Sequence, residues 1–322
     1  MIQHTRRSVL LGVGGAAAAT AGIGTLAAQP SYDGPDAVYT AIRSQPGMTL
    51  FMQGGEIRLV FADGAPGVDH ERVLGWIRNA ARSVTTYFGD FPVDRFGLLV
   101  VAEDSDRVGH ATTYGYRGPV TRIHVGSRAT QAAFDRDWVL VHEMTHTALP
   151  DLPRRALWLQ EGNATWVEPI ARAQAGLLPA ADVWREAATG LPRGEPRPGE
   201  GGMDGTEAWY RLYWGGAGFW LLAEIAVFEQ SEGKFLLRDA LRAVNRQSGG
   251  NAVTWSPEQL MAVADKVTNT SALSDLYRRY TSASVTLDIG ATFARLGVPR
   301  DGVPPFDDRA PLADLRRRIT AA

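Results

Sequence analysis

The chain has no cysteine at any of its 322 positions. That excludes disulfides, thiolate metal sites and a cysteine nucleophile, and an exported protein without thiols cannot mispair in an oxidising space. Neither charge is in excess. Lys and Arg number 33 against 35 Asp and Glu, a formal net charge of -2, so no broad field draws the chain to nucleic acid or anionic lipid. Beyond the N-terminus no apolar run is long enough to span a membrane. What is present, 45% apolar and 21% charged residues, is the composition of an ordinary globular protein with one large domain or two modest ones. The nine tryptophans read as core packing, where large aromatic side chains usually go.

The N-terminus reads as an address. Thr5, Arg6, Arg7 and Ser8 lead into an uncharged Ala/Gly/Val/Leu/Ile run over 9–28 that ends in small residues. This is the layout of an export signal with a cleavage site. Paired arginines, with Leu10 three residues beyond Arg7, resemble the twin-arginine translocase signal, although Val9 stands where Phe is usual. The expectation is a signal peptide over 1–28 and a periplasmic or secreted mature protein with no membrane span. The other reading is a retained anchor; the run is barely long enough to span, and its Gly and Ala make it weakly hydrophobic.

Residues 31–49 are mixed and read as surface wrapping. Alternation or short apolar runs predict strands over 56–61, 96–101 and 119–125. Apolar residues recurring at three and four predict a helix over 68–88, with Asp69 as its N-cap. After Ser127 the periodicity turns helical, over about 131–149, 155–175, 207–229, 234–246, 256–266 and 271–283. The Gly- and Pro-rich stretch 191–205 reads as a long loop, functional or mobile. The chain is thus α/β in its first third and helical afterwards.

The first of these later helices carries Val141-His142-Glu143-Met144-Thr145-His146. Two histidines at i and i+4 project from one helix face, one turn apart, and their imidazoles can reach one zinc ion at about 2.0–2.1 Å. Glu143 lies beside the first histidine, placed to take a proton from a zinc-activated water without being a ligand. A catalytic zinc usually has three protein ligands and one open position. The third is expected from Leu157-Trp158-Leu159-Gln160-Glu161-Gly162, on a second helix after a turn marked by Pro150, Asp151 and Pro153. Gly162 would permit close helix approach beside the metal. With only six histidines in the chain, such a conjunction seldom arises by accident. His4, His70, His110 and His124 show no ligand spacing and read as ordinary.

These motifs resemble the gluzincin metallopeptidases, and the pattern is most similar to the catalytic domain of the glycyl aminopeptidase family. Residues 161–184, Tyr213-Trp214-Gly215-Gly216-Ala217 and 232–298 carry further likeness, so that 110–300 is covered. The resemblance implies an α+β, zincin-like fold: a small α/β subdomain with a mixed sheet over 29–130, a larger helical one over 131–322, and a cleft between them. It implies one Zn2+ per chain on His142, His146 and Glu161, and peptide-bond hydrolysis with Glu143 as general base. It also implies an oxyanion-binding tyrosine at Tyr213, with Tyr210 one turn earlier as the alternative, and a substrate-pairing edge strand at 121–125. Two features depart from the family. Gly215 stands where Lys is usual, and the Gly-x-Met-Glu-Asn motif that holds a free amine in related aminopeptidases is absent. The expected substrate is a peptide or protein, cleaved by aminopeptidase or endopeptidase action. The alternatives are a zinc-containing binding protein of the same fold, against which an intact Glu143 argues, and a zinc hydrolase of non-peptide amides.

Overall fold

The computed structural model describes residues 31–322; the paired arginines and the apolar run over 9–28 lie outside them. A five-stranded mixed sheet has the order β1-β2-β3-β5-β4, with β1 at Gly47–Met52, β2 at Gly55–Phe61, β3 at Arg95–Glu103, β4 at Val108–Tyr114 and β5 at Val120–Gly126. β1 and β4 pair antiparallel to their neighbours, while β2, β3 and β5 run parallel. β3 is central because its Phe96, Leu98, Leu99 and Val100 are all buried, and a continuous apolar run suits a strand covered on both faces.

Two helices cover those faces. α2, His70–Phe88, starts where the Asp69 side chain accepts from Arg72 N at 3.0 Å, and packs Val73, Ile77, Ala81 and Val84 into the main core with Leu98 and Ile123. α1, Pro35–Ser44, packs Val38, Tyr39 and Ile42 on the opposite face, against Val60, Leu99 and Val120. The stretch 31–49 therefore does not wrap the surface. Its turn-by-turn apolar residues become visible as a helix only once a sheet face lies beneath them.

From Gln131 onward the named elements are helical. α3 (Gln131–Asp135) and α4 (Val139–Thr145) divide the single helix expected over 131–149. α5 (Leu157–Gln174), α6 (Ala180–Gly190), α7 (Gly216–Gln230), α8 (Leu237–Ser248), α9 (Pro257–Thr268) and α10 (Ala272–Ser282) follow, then α11 (Ile289–Leu296) and α12 (Ala313–Thr320). One hydrophobic cluster joins sheet and helices, running from Ile57 and Leu98 through Leu140 and Met144 to Trp158, Trp220 and Leu241. The fold is α+β, with a mixed sheet and a larger helical part. Among the described residues no helix is long and apolar enough to cross a membrane.

The loop over 191–205 is fastened at several points. Trp158 Nε1 donates to Asp204 at 2.9 Å, Leu287 N donates to Glu195 at 3.0 Å, and Arg211 Nη1 lies 3.1 Å from Glu200. The edge strand beyond β3 on this side of the sheet is β4, not β5. β5 is paired on both sides, by β3 and β4, so the strand expected to meet a substrate has no free edge.

Candidate metal centre

α4 is short, and its start is held from outside. Asp137 accepts from Val139 N at 3.1 Å, Leu140 N at 3.2 Å and, from α2, Trp76 Nε1 at 3.0 Å. This meets amide donors that a helix start leaves unpaired. Leu140, Val141 and Met144 fix one side of α4 in the core, and that burial sets the direction of His142. His146 is the C-terminal cap residue and keeps helical backbone angles, its N–H bonded to His142 O at 3.3 Å. The one-turn spacing thus survives past the last regular residue, and the two rings meet edge-on, centroids 4.8 Å apart.

Glu161 comes from the second turn of α5. Its Oε2 lies 3.3 Å from His142 Nε2 and 3.4 Å from His146 Nε2. The three side chains are only 14%, 4% and 9% exposed, so solvent screens them little. Burial pushes the Glu161 carboxyl up, but His146 and then His142 outweigh it and hold the group well below the usual carboxylate range.

The spacing discriminates between two kinds of partner. A charge-assisted N–H···O bond is about 2.7–2.9 Å long. Donors around a tetrahedral zinc at about 2.0–2.1 Å stand roughly 3.3–3.4 Å apart. The observed distances match the second value, and the donor set of two imidazoles and one carboxylate suits zinc. The residues present therefore fit the ion. His142 Nδ1 is buried with no hydrogen-bond partner among the described residues. The ring is steadied by packing instead, with Tyr213 stacked at 5.8 Å and Trp138 edge-on at 5.5 Å.

Glu143 stands outside the triad and is held by the sheet. Thr113 Oγ1, on β4, donates to Glu143 Oε2 at 2.7 Å and lies 2.7 Å from Thr121 Oγ1, on β5. A hydroxyl has one proton and a carboxylate only accepts, so Thr121 donates to Thr113 and Thr113 to Glu143. Sequence reading missed this pair. Thr113 is 30 positions from Glu143, and its strand, with Gly109 and adjacent threonines, lacks the apolar alternation that marks a strand.

Tyr213 and Tyr210 part company. Residues Arg211–Gly215 form a π-helical turn before α7, a local widening often found at functional sites. Tyr213 faces the His142 ring from this turn. Tyr210 turns to the loop: its hydroxyl donates to Glu200, and the Arg197 guanidinium lies 4.2 Å from its ring centroid. The turn is set by contact of glycine on glycine. A Cβ on Gly162 would lie 2.3 Å from Gly216 Cα, and one on Gly216 2.3 Å from Trp158 O. The close approach expected at Gly162 is thus between α5 and the start of α7, which brings Tyr213 beside the histidines.

No family model and no curated protein matches the chain. Solved structures do. An aminopeptidase N family protein from Idiomarina loihiensis superposes with a TM-score of 0.56 at 12% identity, over 78% of this chain and 49% of its own. An M1 zinc metallopeptidase from Deinococcus radiodurans gives a TM-score of 0.45 at 17% identity, over 75% of this chain and 52% of its own. The chain spans about half the length of these neighbours. The likeness to the first is one of fold alone.

Proposed function

We propose that the chain is a zinc-dependent peptidase acting at the His142–His146–Glu161 centre. The observation that carries this reading is the spacing of Glu161 Oε2 from the two histidine Nε2 atoms, 3.3 and 3.4 Å, beside a carboxylate, Glu143, that accepts from Thr113 and lies outside the triad. A zinc ion held there supplies a Lewis acid that polarises water and a substrate carbonyl. Glu143 orients the attacking water, accepts its proton as the water oxygen adds to the carbonyl carbon, and passes that proton to the departing amine. The Tyr213 hydroxyl donates to the oxygen that becomes negative. β4, at the sheet edge, presents backbone groups to an extended peptide, which pairs with it as an added strand. The neighbour described as an aminopeptidase N family protein is consistent with a peptide substrate.

The direct test is hydrolysis by the zinc-loaded mature protein of peptide libraries with free and with blocked N-termini. Cleavage of the free set alone identifies an aminopeptidase, and cleavage of both an endopeptidase. If zinc-loaded protein cleaves neither set, the reading is wrong.

Two substitutions probe the supporting roles. Tyr213→Phe is expected to keep zinc and lower kcat about tenfold to a thousandfold with little change in KM, since an oxyanion donor acts mainly in the transition state. Tyr210→Phe, which loses only its bond to Glu200, is expected to leave kcat nearly unchanged; the opposite pattern would reverse the two assignments. Thr113→Val removes the donor to Glu143 at nearly constant volume. Hydrogen bonds to charged groups contribute about 1.5–3 kcal/mol, and part of this persists in the transition state, so a loss in kcat of about tenfold is expected. Zinc content and KM should hold, and Thr113→Ser should restore the rate. A Thr113→Val enzyme with wild-type kcat would show that the hydroxyl pair is packing alone.

A further inference from the structure

We propose that Glu103, His110 and His124 form a second divalent-metal site, of the class that takes zinc, on the face of the sheet opposite the His142 centre. Strand alternation sets the face. Thr121 points to Glu143 through Thr113, so His124, three positions on, points the other way. It shares that side with its register partner Val101 and, two residues along β3, with Glu103. A bulge delivers His110. Val108 pairs with Val125 and Ala111 with Ile123, so Gly109 and His110 together oppose His124. An extra residue of this kind re-aims a side chain, and the two imidazoles stack with centroids 4.1 Å apart.

The three residues offer one donor atom each within 4.8 Å of one another. Glu103 Oε2 lies 3.5 Å from His124 Nδ1, and Ser105 Oγ donates to Glu103 Oε1 at 2.9 Å. That second bond orients the carboxylate as outer partners orient metal ligands. Gly109 leaves room for the cluster: a Cβ there would lie 2.8 Å from Glu103 Oε1 and 3.0 Å from His124 Cβ. His124 Nε2 is buried with no hydrogen-bond partner among the described residues.

A simple Glu–His ion pair accounts for this less well. Glu103 Oε2 and His124 Nδ1 stand 3.5 Å apart, farther than the about 2.7–2.9 Å of a charge-assisted N–H···O bond. Two charged imidazoles at this separation would repel. Neutral imidazole beside an oriented carboxylate is a donor set for zinc. His110, the exposed member, can turn on its side-chain bonds to complete the site. The bound ion would link β3, β4 and β5 at the bulge.

The assignment is independent of the peptidase reading and is tested apart from it. Zinc binding to the metal-free mature protein is followed by titration calorimetry and equilibrium dialysis, with circular dichroism as the check on folding. Wild type is expected to take two zinc ions per chain. His110→Ala, at an exposed position, and Glu103→Gln should each take one, and Glu103→Gln should keep hydrolytic activity. His142→Ala with His146→Ala should also take one, and adding His110→Ala to that pair should remove it. If His110→Ala and Glu103→Gln bind zinc as wild type does, or the His142/His146 variant binds none, the second site does not exist.

Discussion

Glu143→Gln is expected to leave the catalytic zinc in place and the fold intact while peptide hydrolysis falls by at least about a hundredfold, the usual scale of a lost general base. The substitution is informative because so little else changes. Glutamine has the size of glutamate, and its carbonyl oxygen can still accept the Thr113 hydroxyl, which lies 2.7 Å from the native carboxylate oxygen. Glu143 is not among the three converging donors, so zinc content should not follow activity down. What the amide cannot do is take a proton from water. The contrast with Thr113→Val then separates two quantities: a large loss for removing the base, and a small one for loosening it. Steady-state kinetics on the best library peptide, with zinc content measured on the same samples, decide the matter. Full activity in Glu143→Gln on any substrate found would remove the water-activation mechanism altogether.

The second large effect is on the metal itself. His142→Ala, His146→Ala and Glu161→Ala are each expected to weaken zinc binding at this centre by more than about a hundredfold. Loss of an outer partner alone costs 10–100-fold, and each of these removes a direct donor. Measurement in a His110→Ala background isolates this centre from the other face of the sheet. Glu161→Ala has a further consequence. Its carboxylate lies between the two imidazoles, 3.3 and 3.4 Å from their Nε2 atoms, and is the one negative group of the triad. Without it the remaining pair is a neutral two-donor site. Activity should fall in step with zinc across all three variants, unlike Glu143→Gln. Glu161→Ala protein that keeps zinc as tightly as wild type would show that the third ligand is another residue.

How much of this was legible beforehand depended on distance along the chain. The i, i+4 spacing of His142 and His146 is a property of one turn of helix, so it was readable from the residues themselves and holds even though His146 falls at the helix cap. The Asp69 cap and the apolar stripe of α2 are equally local. The break after α3 was not legible, because Asp137, which accepts from Val139 N at the start of α4, is held in place by Trp76 on a distant element. α1 and β4 escaped notice for a related reason. Their weak patterns are completed by the sheet they join.

The sequence by itself determined the donor types and the direction in which one helical turn presents two of them, since backbone periodicity acts between near neighbours. Tertiary structure alone decided the rest. Glu161 Oε2 meets both Nε2 atoms because α4 and α5 pack together in one core. Tyr213, rather than Tyr210, faces His142 because Gly162 and Gly216 let α5 and α7 touch backbone to backbone. Thr113 reaches Glu143, and His110 reaches His124, through the pairing of β4 with β5. Each is a contact between residues far apart in the chain, set by which elements share a core and in what register, and that information is not contained in the pattern of any single segment.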